Sequence, residues 1–420
     1  MQQQVGGELL HGRQHVIVLS PTGSGKTLAY LLPLVQLLHT DSDDVQALVV
    51  VPGRELALQS HEVLRSLGTK LRSMAVYGGR TAMEEHRRLR DTRPQVVFGT
   101  PGRLNDHLSK SNISPYAIRY LVIDEFDKCL EMGFHDEMLR LLKSLPGLQR
   151  LVLLSATDAE QIPHFVSIDH AVRIDYRTEQ SAEERMTFYE VKSPEKDKLG
   201  TLRDLLCQLG DSQSIVFLNY RDSVERVDDY LRHAGFITSA FHGGLDQRQR
   251  EDALYKFSNG SSSVLVATDL ASRGLDIPDV ANVVHYHLPL KEDGYVHRVG
   301  RTARWDREGM AYFIVGPEEH MPEFVSASEL FPLSTERRAI PQPRMTTIYI
   351  GKGKKDKLSK GDILGFLCKK GGLTADEIGR IDVNDHYAYA AIARGKLQQV
   401  LRLTKGEKVK GIRTLVEPVK

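Results

Sequence analysis

Short apolar runs recur along the first part of the chain, each followed by a stretch of helical periodicity, and they fall at 16–19, 47–51, 96–98, 120–123 and 151–154. Alternation of short hydrophobic runs with amphipathic stretches predicts a doubly wound parallel sheet flanked by helices. The polar stretch from Arg177 to Glu184 interrupts this pattern, which restarts with runs at 214–218, 264–267, 282–286 and 311–315. Two similar α/β domains joined by a short linker are therefore expected. Between Gly316 and Pro343 the alternation stops and prolines appear at 317, 322, 332, 341 and 343, the pattern of a connector. From Arg344 onward the order becomes strand (Thr347 to Ile350), basic loop, helix (Lys360 to Lys370), two strands between Ile378 and Ile392, helix (Leu397 to Thr404) and strand (Thr414 to Pro418). That succession is a β-α-β-β-α-β module. The expected division is 1–178, 179–316, a connector 317–343 and a small α+β domain 344–420.

A length of 420 residues fits two or three domains. Net charge is only +1, but 17 Lys and Arg against 8 Asp and Glu fall in 344–420, leaving the rest of the chain acidic. A basic tail domain implies a polyanionic partner. No apolar run approaches the roughly 18 residues of a membrane span, so no membrane partner is expected. Met1 to Leu10 lacks the basic start and apolar core of a secretory signal, and Cys129, Cys207 and Cys368 lie too far apart for a disulfide framework or zinc site. A cytoplasmic protein is expected.

The run Val16 to Leu19 leads into SPTGSGKT at 20–27 and then into a helical pattern. Thr22, Gly23, Ser24 and Gly25 let successive backbone N–H groups face phosphate oxygens, Lys26 neutralises them and the Thr27 hydroxyl can ligate Mg²⁺. Ser20 stands where the strict pattern has glycine. About a hundred residues later Tyr120 to Ile123 runs into Asp124, Glu125, Phe126 and Asp127, acids at the carboxyl end of a strand. Asp124 can hold Mg²⁺ through water, and Glu125 can act as general base toward the attacking water.

These segments, with their order, resemble the DEAD-box RNA helicases of superfamily 2 over roughly residues 1 to 316. PGREL at 52–56, Gly78-Gly79, TPGRL at 100–104, DEFD at 124–127 and SAT at 155–157 form the first set; IVFLN at 215–219, Gln247 to Arg250, ATDLASRGLDI at 267–277 and HRVGRTAR at 297–304 form the second. The resemblance implies two tandem RecA-like parallel-sheet domains that use ATP and Mg²⁺. It implies that Arg301 and Arg304 stabilise charge on the γ-phosphate, that Asp276 approaches the ribose, and that Ser155, Thr157 and Arg298 couple the domains, Arg298 through the acidic motif. RNA contacts implied by the same pattern are Arg54, Gly79, Thr100, Gly102 and Arg103, then Arg250, Thr268 and Arg273. Such a backbone-reading track carries little sequence preference.

Phe126 occupies the place of the family's alanine, Gly53 replaces a threonine, and Ala303 stands where glycine is common. Gln2 falls near the position of an adenine-reading glutamine, and a frayed terminal residue is the other reading. The tail resembles the RRM-like RNA-binding domain of the DbpA group of bacterial DEAD-box proteins, on TTIYIGKGKKDKLS, GDILGFL, IGRIDV and KVKGIRTLVEPVK. Lys352, Lys354 and Lys355 are candidate phosphate contacts. Tyr387 and Tyr389 share one face of a strand, either an RNA face or a packed one. The expected activity is an ATP-dependent RNA helicase acting as a monomer on structured ribosomal RNA in large-subunit assembly. An ATP-gated RNA clamp with weak unwinding is the alternative.

Overall fold

The computed structural model describes residues 1–419 apart from 22–23, 79–81, 158–170, 178–185, 273–279, 303–308, 326–327, 335 and 337. The described residues up to Tyr176 and Arg177 form one compact unit, and those from Met186 onward form a second.

The first unit is built on β1 (Val16–Leu19), β2 (Ala47–Val50), β3 (Ser73–Val76), β4 (Val96–Gly99), β5 (Tyr120–Ile123), β6 (Arg150–Ser155) and β7 (Val172–Asp175). They lie in the order β3-β4-β2-β5-β6-β1-β7. Every pairing is parallel. Strands covered by helices on both faces need apolar side chains at consecutive positions, and β1, β2, β4 and β6 are buried throughout. Val16, Val18, Val49, Phe98 and Leu154 point into one core layer. Ile17, Leu48, Val97, Ile123 and Leu153 point into the other. β1 sits between β6 and β7 with Leu19 beside Ser155, so the loops after β1, β5 and β6 emerge together at the carboxyl edge. In open α/β sheets that edge is where ligands bind.

The second unit repeats the plan with β8 (Met186–Lys192), β9 (Ser214–Leu218), β10 (Thr238–Phe241), β11 (Val264–Thr268), β12 (Asn282–His285), β13 (Gly309–Val315) and β14 (Glu329–Leu330). The order is β10-β11-β9-β12-β13-β8-β14, again all parallel. Both sheets are wider than the apolar runs predict. β3, β7, β8 and β10 escape the sequence pattern because they lie at or next to a sheet edge and polar residues interrupt the run, Arg173 and Thr187 at exposed positions and Thr238 and Ser239 as small buried ones.

Part of the proline-rich stretch read as a connector packs on this second sheet. β14 extends the sheet beside β8. Phe331 meets the rings of Tyr189 and Tyr312 edge-on at 5.3 and 5.2 Å. Each such pair contributes about 0.5–1.5 kcal/mol beyond area burial.

The tail comprises β15 (Met345–Ile350), β16 (Ile378–Val383), β17 (Ala388–Ala393), a small hairpin of β18 (Lys408–Val409) and β19 (Ile412–Arg413), and β20 (Val416–Pro418). Its antiparallel sheet runs β16-β17-β15-β20. Helices Lys360–Lys369 and Leu397–Thr404 supply Ile363, Phe366, Leu367 and Val400 to a core with Ile348, Ile350, Ala390 and Ile392. Side chains alternate across a strand, so Thr347, Tyr349 and Tyr389 emerge on the opposite face. The basic loop passes so close to residues 384–387 that a side chain at Gly353 would collide with the Asn384 carbonyl and the Tyr387 amide. Glycine there lets Lys354 N and Lys355 N donate to Asn384 O and Asp385 O at 2.8 and 2.9 Å.

Candidate nucleotide and RNA sites

β1 ends at Leu19, and Ser20 N donates to Ser155 O at 3.0 Å, tying the loop to β6. Ser20 Oγ donates to Ser24 Oγ at 2.5 Å, so the serine in place of glycine reinforces the loop. Gly25, the N-cap of helix Lys26–Leu37, has φ of 86°. That left-handed conformation favours glycine, and a Cβ there would lie 2.5 Å from Gln2 Nε2, so a larger residue would also displace the Gln2 amide. Gln2 opens helix Gln2–His11, whose Val5 and Leu9 are buried, and its side chain lies against Gly25. Lys26 Nζ donates to Ser20 O at 2.6 Å and Pro21 O at 3.0 Å. The helix beginning at Lys26 directs its positive end at the same place. Thr22 and Gly23 lie outside the described residues.

Asp124 follows β5 and is 3% exposed. Burial raises its carboxyl above the ordinary range, opposed by the Lys26 ammonium and by the Glu125 N–H, which donates to Oδ1 at 3.0 Å. The Tyr30 hydroxyl, also buried, is held protonated by burial and then by Asp124, and it lies among Ser60, Thr27 and Asp124. A costly buried carboxylate beside neutral hydroxyl oxygens is a donor set that suits a hard divalent cation such as Mg²⁺. Glu125 has φ of 51°, a left-handed conformation that costs a non-glycine residue about 1–2 kcal/mol. Strain of this kind collects where geometry serves a site.

Phe126 is 1% exposed and lies in the apolar core with Leu19, Ile123 and Cys129. Its bulk therefore points away from the acids. Asp127 keeps its bonds: Oδ2 accepts from Thr157 Oγ1 at 2.9 Å and Thr157 N at 3.2 Å, while Ser155 Oγ donates to Thr157 O at 2.5 Å. The acidic motif and the SAT motif are joined, although only Ser155 and Thr157 were singled out from the sequence and Asp127 was not.

Arg54 opens helix Arg54–Ser66 and lies 3.2 Å from Glu55. Gly53, its N-cap, has an extended φ of −136° that any residue adopts, so the departure from threonine removes only a side-chain cap. Thr100 is the N-cap of helix Pro101–Ser109, whose first turn holds Gly102 and Arg103. Arg103 Nε donates to Glu85 Oε2 at 2.6 Å. Glu85 is fully buried and also meets His107 Nε2 at 3.1 Å and accepts from Tyr77 N at 3.1 Å. Burial pushes this carboxyl up, but His107, Arg103 and the Tyr77 N–H outweigh it and hold it below its ordinary value. Nothing in the polar run 82–92 distinguishes Glu85 from its neighbour Glu84.

Replacing Glu85 by alanine is expected to cost about 2–3 kcal/mol, since Arg103, His107 and an N–H lose their acceptor together. Because the folded group is depressed, its contribution is complete above the ordinary carboxylate range and is lost as pH falls through the lower folded value. Urea unfolding should therefore show the wild-type advantage over Glu85→Ala at neutral pH and its decline below about pH 4. An advantage unchanged down to the acid limit would refute that assignment.

In the second unit, helix Gln247–Ser258 starts with an Asp246 and Gln249 capping box and carries Arg250, which is 6% exposed. Thr268 ends β11. Within its own domain the Arg298 guanidinium takes three acceptors: Nε on Asp269 Oδ1 at 2.5 Å, Nη1 on His287 O at 2.8 Å and Nη2 on Asn219 Oδ1 at 2.7 Å. It also lies over the Phe217 ring at 5.4 Å. A 1% exposed guanidinium takes the nearest acceptors that replace its water, and the asparagine ending IVFLN and the aspartate of ATDLA provide them. Arg301 follows as a buried residue whose backbone O accepts from Val280 N. Gly79, Arg273, Asp276 and Arg304 lie outside the described residues.

In the tail, Lys352 Nζ donates to Asp356 at 3.0 Å and Lys355 Nζ lies 3.1 Å from His386 Nε2, and Lys354 is exposed on the same loop. Tyr389 is a packed residue, resolving the choice left open by its strand position: its ring lies 4.7 Å from that of Tyr255 on helix Gln247–Ser258.

Comparison with known proteins places the chain among characterised families. Residues 1–164 match the DEAD/DEAH box helicase model, 197–306 the helicase conserved C-terminal domain and 347–418 the DbpA RNA binding domain. The chain is 36% identical to the ATP-dependent RNA helicase DbpA of Escherichia coli K12 over 94% of its length and 89% of the relative's. It is 31% identical to the DbpA of Bacillus subtilis 168, covering 95% and 90%. A structure of S. cerevisiae Dbp5 bound to RNA and ADP BeF3 superposes with a TM-score of 0.69 at 29% identity, covering 76% of this chain and 83% of that one. With the phosphate loop, the acids at 124–127 and the antiparallel tail module already in place, these likenesses show that the chain belongs to the DEAD-box ATP-dependent RNA helicases of the DbpA type.

Proposed function

We propose that this helicase hydrolyses Mg²⁺-ATP to separate or bend short RNA duplexes, and that its tail directs it to structured ribosomal RNA during large-subunit assembly. In this reading Gly23, Ser24, Gly25 and Lys26 bind phosphates, Thr27 and Asp124 hold the metal, and Glu125 takes the proton of the attacking water. The metal, when bound, neutralises charge on the phosphates. Arg301 and Arg304 supply guanidinium groups to the γ-phosphate, with Asp276 at the ribose and Gln2 at the base. Arg54, Thr100, Gly102, Arg103, Arg250 and Thr268 track the RNA backbone. The observation that carries the reading is the join of Asp127 to Thr157, because it ties the nucleotide acids to the motif after β6 and so gives hydrolysis a route to the RNA track. The ribosomal target rests on the tail, which holds 17 Lys and Arg against 8 Asp and Glu and matches the DbpA RNA binding domain.

The test measures ATP hydrolysis and strand displacement with ribosomal RNA, unrelated structured RNA and single-stranded RNA. Stronger stimulation by ribosomal RNA, with duplex separation, is expected. Equal stimulation by all three would remove the ribosomal target. Stimulated hydrolysis without strand separation would favour an ATP-gated clamp.

A further inference from the structure

The tyrosines of the tail sheet cover a helix of the second helicase domain. Tyr389 and Tyr387 hydroxyls donate to Asp252 and, at 3.3 Å, to Glu251. Burial and the Asp252 carboxylate keep the Tyr389 hydroxyl protonated, so it remains a donor. The Tyr255 hydroxyl reaches back to Arg380 O at 3.0 Å, and the Arg248 guanidinium lies over the Tyr349 ring at 5.4 Å. One turn beyond, Asn259 Nδ2 donates to Thr347 Oγ1 at 2.8 Å, and Arg394 Nη2 donates to Ser261 O at 3.0 Å. Aromatic area, charge-assisted hydrogen bonds and a cation over a ring thus act in one seam.

The docking positions on helix Gln247–Ser258 and its C-cap lie on one side, and Ser261 just beyond extends the seam. At about 100° per residue, 248, 251, 252, 255 and 259 form a stripe, and 250, 253 and 257 fall on the opposite side. Arg250, Ala253 and Phe257 are buried there. A single rigid helix thus carries the tail on one flank and a candidate RNA contact on the other.

We infer that helix Gln247–Ser258 is a coupling element: the docked tyrosine face makes the tail and the second helicase domain one moving body and positions Arg250 for RNA. The tail sheet face serves the protein's own helix, and RNA held elsewhere on the tail is carried at a fixed offset from the core contact. Asp252, Tyr255 and Tyr389 are positioning residues that act through Arg250. This rests on the proposed RNA role of Arg250.

The experiment uses the full chain with spin labels at Asp229→Cys and Lys369→Cys, in a background carrying Cys207→Ser and Cys368→Ser. Both label positions are exposed. Pulsed dipolar distances are recorded alone and with bulk ribosomal RNA plus a non-hydrolysable ATP analogue. One narrow distance, unchanged between the states, is expected; a shifted or broadened distribution on adding RNA and nucleotide overturns the single-body inference. Asp252→Arg is expected to broaden the distribution and raise the RNA concentration for half-maximal ATPase by about fivefold, with the maximal rate within about twofold. The milder Tyr389→Phe should move both readouts the same way by less, which guards against misfolding of the charge-reversal variant. A broadened seam with unchanged RNA half-saturation overturns the coupling to Arg250. Arg250→Ala separates the premises: if RNA activation is unaffected by it, the RNA role of Arg250 fails, while the distance result still decides the dock.

Discussion

Glu125→Gln is expected to lower RNA-stimulated ATP hydrolysis by about 10²–10⁴-fold, the usual contribution of a positioned general base. The glutamine keeps the size of the side chain but cannot take a proton. The backbone at this position stays in its left-handed turn, so nucleotide and RNA binding should persist and the loss should appear in kcat. Lys26→Ala makes the contrasting case. Removing the ammonium leaves Asp124 without the charge that opposes its burial and the phosphates without their counter-charge, so nucleotide affinity should fall as well. Equilibrium binding of a fluorescent ATP analogue beside steady-state hydrolysis distinguishes the two. If Glu125→Gln turned over ATP at the wild-type rate, the base would have to be sought elsewhere.

Arg298→Ala is expected to destabilise the second helicase domain by about 1–3 kcal/mol, because its acceptors lose a donor while the part-exposed Asp269 carboxylate can be rehydrated. Asp269, Asn219 and the His287 carbonyl would all lose a donor, and the Phe217 ring its covering cation. Nearby His285 is fully buried and stacked on Phe313 at 4.3 Å; burial and then the Arg298 charge keep it well below the ordinary histidine range. Denaturant unfolding of the purified variant gives the stability change. An Arg298→Lys companion should recover part of it, because one ammonium cannot reproduce a three-armed guanidinium. A drop of less than about 1 kcal/mol for Arg298→Ala would place the residue's role outside folding.

The central strands were legible because a strand buried on both faces must be apolar at every position, as in Val16 to Leu19 and Ile215 to Leu218. Edge strands such as β3 and β10 were not, since polar residues interrupt their runs. Nor did the sequence show where Arg298 would find partners within its own domain: at 1% exposure its guanidinium is held by Asp269, Asn219 and the His287 carbonyl. Phe126 was ambiguous in sequence, where bulk in the acidic motif could disturb its coupling, and plain in structure, where the ring enters the core while Asp127 still holds Thr157.

Sequence alone determined the family and the number of modules, because its motifs keep a particular order and spacing next to strands. Tertiary structure decided which partners their side chains take. Glu85 became the anchor of Arg103 only through burial beside His107 and Tyr77 N, and the tyrosines of the tail became a dock only when helix Gln247–Ser258 was brought against them. Both outcomes arise from residues far apart in the chain. A buried polar group must find an acceptor or donor among whatever the fold places within about 3 Å, and local sequence carries no record of that neighbour.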